Sequence, residues 1–171
     1  MNILMMGDSL IEYYDWQKRF PCHRVWNLGI AGESVEGLLS RVMRIHEICP
    51  EADCIFIMSG INNVAMGDTD FIDFYKVVLE KLSSFYRTAR IFVHSLLPAA
   101  TGFISDHSIR GVNDFLLTLA RDSGAEYLDV YGRFVDTKGR PVREYLLDDG
   151  VHVSGAGYEV WSGMIESIIN D

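Results

Sequence analysis

Along the chain, short and largely apolar runs alternate with longer stretches in which apolar residues return every third or fourth position. The runs at 3–6, 24–29, 54–58, 90–96 and 126–130 read as strands. Cys54-Ile55-Phe56-Ile57-Met58 contains no polar residue, the pattern of a parallel strand covered on both faces. The stretches between them carry the helical period. Residues 10–20 have room for one or two turns. Val35, Leu38, Leu39, Val42 and Ile45 mark a helix that Ser34 can cap. A longer one opens near Thr69, with Phe71, Phe74, Tyr75, Val78, Leu79, Leu82 and Phe85 as its core stripe. Ile109, Val112, Leu116 and Leu119 define a third that ends at Gly124. Trp161, Met164, Ile165 and Ile168 define a closing helix capped by Ser154. Strands alternating with helices predict an α/β fold in one domain, residues 1–171: a five-stranded parallel sheet with helices on both faces. Crossovers in such sheets are right-handed, and ligands gather at the carboxyl ends of the strands.

That rule gives meaning to the polar residues that follow each strand. Gly7-Asp8-Ser9-Leu10 leaves the first strand and enters a helix, so the Ser9 hydroxyl and the free N–H groups of the helix start face one space. Capping of a helix by Asp8 or Ser9 is the bland reading of the same residues. Gly29 and Gly32, after the second strand, suit a tight turn or a close approach of backbone to a ligand. After the third, Ser59-Gly60-Ile61-Asn62-Asn63 offers the side-chain amide of Asn62 to the same edge. An Asx turn would use the same residues. Near the end, Asp149 and His152 stand three residues apart before the Ser154 cap. A turn of that length can fold the carboxylate onto the imidazole Nδ1 and leave Nε2 as a base. Loop capping is again the alternative.

Composition narrows the classes. A net charge of −9 excludes a phosphate-binding surface of clustered Lys and Arg, and with it nucleic acid as a partner. No run approaches the roughly 18 apolar residues of a membrane span, and the first strand begins without a basic lead, which predicts a cytoplasmic chain without membrane insertion. Cys22, Cys49 and Cys54 lack metal spacing and read as reduced thiols. Of the other histidines, His94 reads as a hydrogen-bonded core or rim residue, His107 as part of a helix start, and His23 and His46 as exposed. Tyr13, Tyr14 and Trp16, just after Ser9, read as partly buried scaffold able to border a pocket.

Taken together, Gly7-Asp8-Ser9-Leu10, Asn27-Leu28-Gly29-Ile30-Ala31-Gly32, Gly60-Ile61-Asn62-Asn63 and Asp149-Gly150-Val151-His152 resemble the four blocks of the GDSL, or SGNH, hydrolase family, in order and across nearly the whole chain. The resemblance implies a three-layer, flavodoxin-like α/β/α sandwich without metal or organic cofactor. It implies Ser9 as nucleophile, His152 as general base and then acid, and Asp149 as the residue orienting His152. The oxyanion hole would be the backbone N–H groups of Ser9 and Gly32 with the side-chain amide of Asn62. It implies small-molecule ester substrates; a chain this short, with nothing that looks like a large lid, favours short acyl or acetyl groups, carried for example on a carbohydrate, with lysophospholipids and acyl thioesters as alternatives. One position departs from the pattern: the third block usually ends in Asp, and here Asn63 stands there. Two rivals lie outside this mechanism. A metal-assisted hydrolase would use Asp8, Asp149 and His152 as ligands. A non-catalytic module would hold a small ligand on the same rim.

Overall fold

The structure is a computed structural model and describes residues 1–170. Five parallel strands form its sheet: β1 (Asn2–Gly7), β2 (Arg24–Gly29), β3 (Cys54–Met58), β4 (Arg90–His94) and β5 (Glu126–Leu128), in the order β2-β1-β3-β4-β5. Every residue of β3 is buried, as its unbroken apolar run predicts. The chain steps outward from β1 to β2 and then crosses back over β1 to β3. The carboxyl ends of β1 and β3 therefore flank the point where the winding reverses, the place where open α/β sheets leave a crevice.

Among the described residues six helices carry the connections, α1 (Ser9–Glu12), α2 (Trp16–Arg19), α3 (Val35–Ile48), α4 (Ile61–Ala65), α5 (Ile72–Phe85) and α6 (Asp106–Asp122), and α7 (Gly155–Ile169) follows the last strand. The α3–α5 and α5–α6 pairs pack side by side. The segment of α1 and α2 packs with α7 instead: Trp16 meets Trp161 edge-on at 5.2 Å, and Tyr14 stacks on Tyr158 at 4.3 Å. Ser34 and Ser154 cap their helices as the sequence predicts, taking the N–H groups of Gly37 and Gly157, and Ser105, not singled out there, caps α6 through the N–H of Ser108.

Several expectations shift. Residues 61–65 form the short helix α4 in place of a simple turn, and α5 opens at Ile72 rather than near Thr69. β4 and β5 stop at His94 and Leu128, two residues earlier than their apolar runs suggest. There Ser95 N–H donates to the Leu128 carbonyl, and Ser95 Oγ then takes the N–H of Tyr131, so the chain turns away. Phe74 lies 44 % exposed on the outer side of α5 although it keeps the stripe's spacing. Short 3₁₀ turns at 131–133 and 143–145 carry no periodic signal long enough to read.

Candidate active site

Ser9 is the first residue of α1, a helix of one turn whose start is fixed on several sides. Asp8 Oδ1 accepts the N–H of Leu10 at 3.0 Å, and the Asp8 carbonyl accepts those of Ile11 and Glu12. The Asn27 side chain donates to the carbonyls of Ile11, Glu12 and Tyr14, closing the far end of the turn. Gly29 is needed for this packing, since a Cβ there would lie 2.4 Å from the backbone nitrogen of Glu12. With the neighbouring donors occupied, the N–H of Ser9 has no acceptor among the described residues. Asp8 itself is fully buried, and its Oδ2 has no partner. Burial pushes its carboxyl up to about 7, with a smaller push from Glu33 against the pull of the Leu10 N–H and of His152.

From the other end of the chain, the turn 149–152 brings an imidazole to that hydroxyl. Ser9 Oγ and His152 Nε2 are 3.1 Å apart across 143 positions of sequence. His152 Nδ1 lies 2.7 Å from Asp149 Oδ2. Asp149 Oδ1 accepts the backbone N–H groups of Val151 at 2.8 Å and His152 at 2.9 Å, so one carboxylate folds the turn and holds the ring. These N–H groups, with the ring, hold its carboxyl down at about 2. The turn is anchored by Ala100 N–H on the Gly150 carbonyl and Leu147 N–H on the His152 carbonyl, both at 2.7 Å. Tyr158 OH, one turn into α7, donates to the Leu10 carbonyl at 2.8 Å and ties the two ends directly.

The middle of the chain supplies amides. Gly32 sits at φ +76°, a left-handed conformation that favours glycine, with its N–H free among the described residues. Two side chains hold its loop. Glu12 accepts the N–H of Ala31 at 2.6 Å, and Arg41 forks onto Glu33 while donating to the Leu28 carbonyl. Asn62 Nδ2 donates to the Glu33 carbonyl at 2.9 Å, which joins α4 to this loop. Asn63 is buried below. Its oxygen takes the N–H of Val35, and its amide donates to Glu36 at 3.0 Å and Asp68 at 2.9 Å.

All the residues singled out from the sequence, Ser9, Gly32, Asn62, Asp149 and His152, thus lie on one rim. His94 is buried as read, yet among the described residues neither ring nitrogen has a hydrogen-bond partner, and burial lowers it to about 3. His46 is not exposed as expected: it stacks flat on Phe85 at 4.6 Å. The three aromatics after Ser9 divide: Trp16 is fully buried, Tyr14 is scaffold, and Tyr13 is 60 % exposed with its ring 5.4 Å from that of His152. Sequence reasoning missed Glu12 and Arg41 as neighbours of the site: their only signal is an unremarkable charged position on a helix, and the loop between residues 28 and 33 gives them their use. Among the described residues no group of three or more His, Cys, Asp and Glu side chains forms a metal cradle. Beside His152 and Asn62 opens a cleft of about 310 Å³ whose walls include Ile61, Ala65, Phe103, Ile104 and Val151.

A hydroxyl, an imidazole and a carboxylate stand in series at the winding reversal of a parallel α/β sheet, the place where such folds bind ligands. The chain belongs to the GDSL-like lipase/acylhydrolase family, whose profile matches residues 6–160. It is an ester-bond hydrolase of that family. Among solved structures it is similar to a protein of Streptococcus pneumoniae provisionally described as a platelet activating factor, at 26 % identity and a TM-score of 0.87, over 98 % of this chain and 83 % of that one. A GDSL-like lipase of Bacteroides thetaiotaomicron shares 21 % identity at a TM-score of 0.80, over 99 % and 87 %. The acetyl xylan esterase AlAXEase shares 18 % at 0.83, over 99 % and 100 %. The last two likenesses show the fold. No curated protein sequence matches the chain significantly. Among the described residues no helix is long and apolar enough to cross a membrane.

Proposed function

We propose that the chain, acting as one domain, hydrolyses small-molecule carboxylic esters through an acyl-enzyme on Ser9. The Ser9–His152–Asp149 series, at 3.1 and 2.7 Å, is the observation that carries this reading. Asp149 keeps a proton on Nδ1, so Nε2 takes the proton of Ser9 Oγ as the oxygen attacks the ester carbonyl. The carbonyl oxygen becomes an oxyanion facing the N–H groups of Ser9 and Gly32 and the Asn62 amide. His152 then passes its proton to the leaving alkoxide. Water repeats the cycle against the acyl-enzyme and frees the acid. Nothing in this sequence of steps needs a metal or an organic cofactor. We place the substrate among esters of short acyl groups, and the enzyme in a reducing compartment, in keeping with three unpaired cysteines.

The test is turnover of p-nitrophenyl esters by Ser9→Ala. Loss of activity to background with an unchanged circular dichroism spectrum, and labelling of Ser9 by a serine-directed phosphonate in the parent, is the expected result. Undiminished turnover by the variant would remove Ser9 from the role.

A further inference from the structure

The cleft beside the catalytic groups has a definite chemical character. Ile61 and Ala65 are four apart on α4 and so line one wall from the same helix face. Phe103 and Ile104 come from the loop before α6, and Val151 from the turn that carries Asp149 and His152. Three polar side chains reach the cleft, and their bonds tie them to the site: Asn62 gives one amide N–H to the Glu33 carbonyl and keeps the other for the oxyanion of the proposed mechanism, Asp149 is held by two backbone N–H groups and the imidazole, and His152 faces Ser9. The remaining lining is apolar. At the mouth, Phe103 is 72 % exposed. Apolar side chains of that size gain from being covered.

We infer that this cleft is an acyl-binding site that takes an unbranched chain of about four to eight carbons, with Ala65 setting its depth. The inference rests on Ser9 as the acylated nucleophile. The occupant is the acyl part for a kinetic reason. The alcohol must leave after the first half-reaction so that water can reach His152, whereas the acyl chain stays bound to Ser9 throughout. A partly closed apolar cleft suits the group that stays. A volume of about 310 Å³ is far more than an acetyl group fills. A methylene needs about the share of a water molecule, roughly 30 Å³, so a chain of several carbons is accommodated even with one side open.

The experiment is a series of p-nitrophenyl esters from acetate to decanoate, in which the leaving group is constant and only the acyl chain changes. A fully buried methylene contributes about fourfold in kcat/KM, and a half-covered one about twofold. The expected profile therefore climbs by about tenfold or more from acetate to hexanoate and falls again beyond octanoate. Ala65 is exposed to the cleft rather than packed in the core, so Ala65→Phe adds its ring to the open space. This variant is expected to lower the hexanoate-to-acetate ratio of kcat/KM by about tenfold and move the maximum toward acetate. Phe103→Ser, at an exposed loop position, lowers the same ratio by a few-fold and serves if Ala65→Phe does not fold. A parent profile that peaks at acetate, or ratios unmoved in the folded variants, would overturn the acyl site. A rate set by the alcohol chain in a matched series of acetate esters would do the same. Those failures are separate from that of the serine mechanism, which is judged by Ser9→Ala and by labelling alone.

Discussion

Asn63 shows how one residue governs the amide beside it. Where the family pattern has Asp, this chain has a side chain that accepts from Val35 and donates to both Glu36 and Asp68. Those donations hold both carboxyls below their ordinary values. An Asp at 63 would keep the first bond and turn the other two into repulsion among three carboxylates. Asn63→Asp should therefore cost about 1–3 kcal/mol in denaturant melts at pH 7. The cost should shrink as the pH falls through the carboxylate range, because the lowered groups contribute stability only above their unfolded values. Under the proposed mechanism Asn62→Ala removes an oxyanion donor and should lower kcat about a hundredfold or more, measured on p-nitrophenyl acetate. Asp8 has the opposite sign from Glu36 and Asp68. Its folded value, about 7, lies above its ordinary 3.8, so its contribution is complete below 3.8 and is lost as the pH rises to about 7. Asp8→Asn keeps an acceptor for Leu10 N–H and cannot ionise. Melts of the two proteins from pH 4 to 8 should diverge, with the variant gaining on the parent as the pH rises. Parallel curves would refute the buried, late-titrating carboxyl.

At the scale of elements, the one-turn helix α1 cannot hold itself, since so short a helix is unstable in isolation. Its position comes from Asn27 on β2, from the close approach allowed by Gly29, and from α7 through Tyr158 OH on the Leu10 carbonyl. Arg19 on α2 adds a two-pronged pair with Glu166 and a bond to Ser162 on the same helix. The helix that follows His152 is thereby bolted to the turn that carries Ser9. Tyr158→Phe keeps the stacking on Tyr14 and deletes one buried bond, so a loss of about 0.5–1.5 kcal/mol is expected in a chemical melt. Long periodic helices such as α3, α6 and α7 could be read from spacing, with a serine cap besides for α3 and α7. The five residues of α4 could not, because Gly60 at φ +124° starts it where local pattern suggests only a turn. Phe71 lies over Gly60, where a Cβ would come within 2.7 Å of its ring, so packing from the α5 side shapes that start.

For the whole molecule, the decisive feature is the order β2-β1-β3-β4-β5, which puts the ends of β1 and β3 beside one another at the reversal of winding. It turns four short blocks, each explicable locally as a cap or a turn, into one rim. The sequence alone determined the alternation of strands and helices and the buried central strand, because periodicity is a property of neighbours along the chain; Ser9, Gly32, Asn62, Asp149 and His152 stood out there with caps and turns as alternatives, and their expected roles came from the family resemblance. Tertiary structure alone decided the 3.1 Å contact across 143 residues, the bracing of the Gly32 loop by Glu12 and Arg41, and the use of Asn63 between two carboxylates. It also decided the exposure of Tyr13 beside His152 and the apolar cleft next to Asn62. Such contacts join residues far apart in sequence, and they exist only once the sheet has set which strand ends lie side by side.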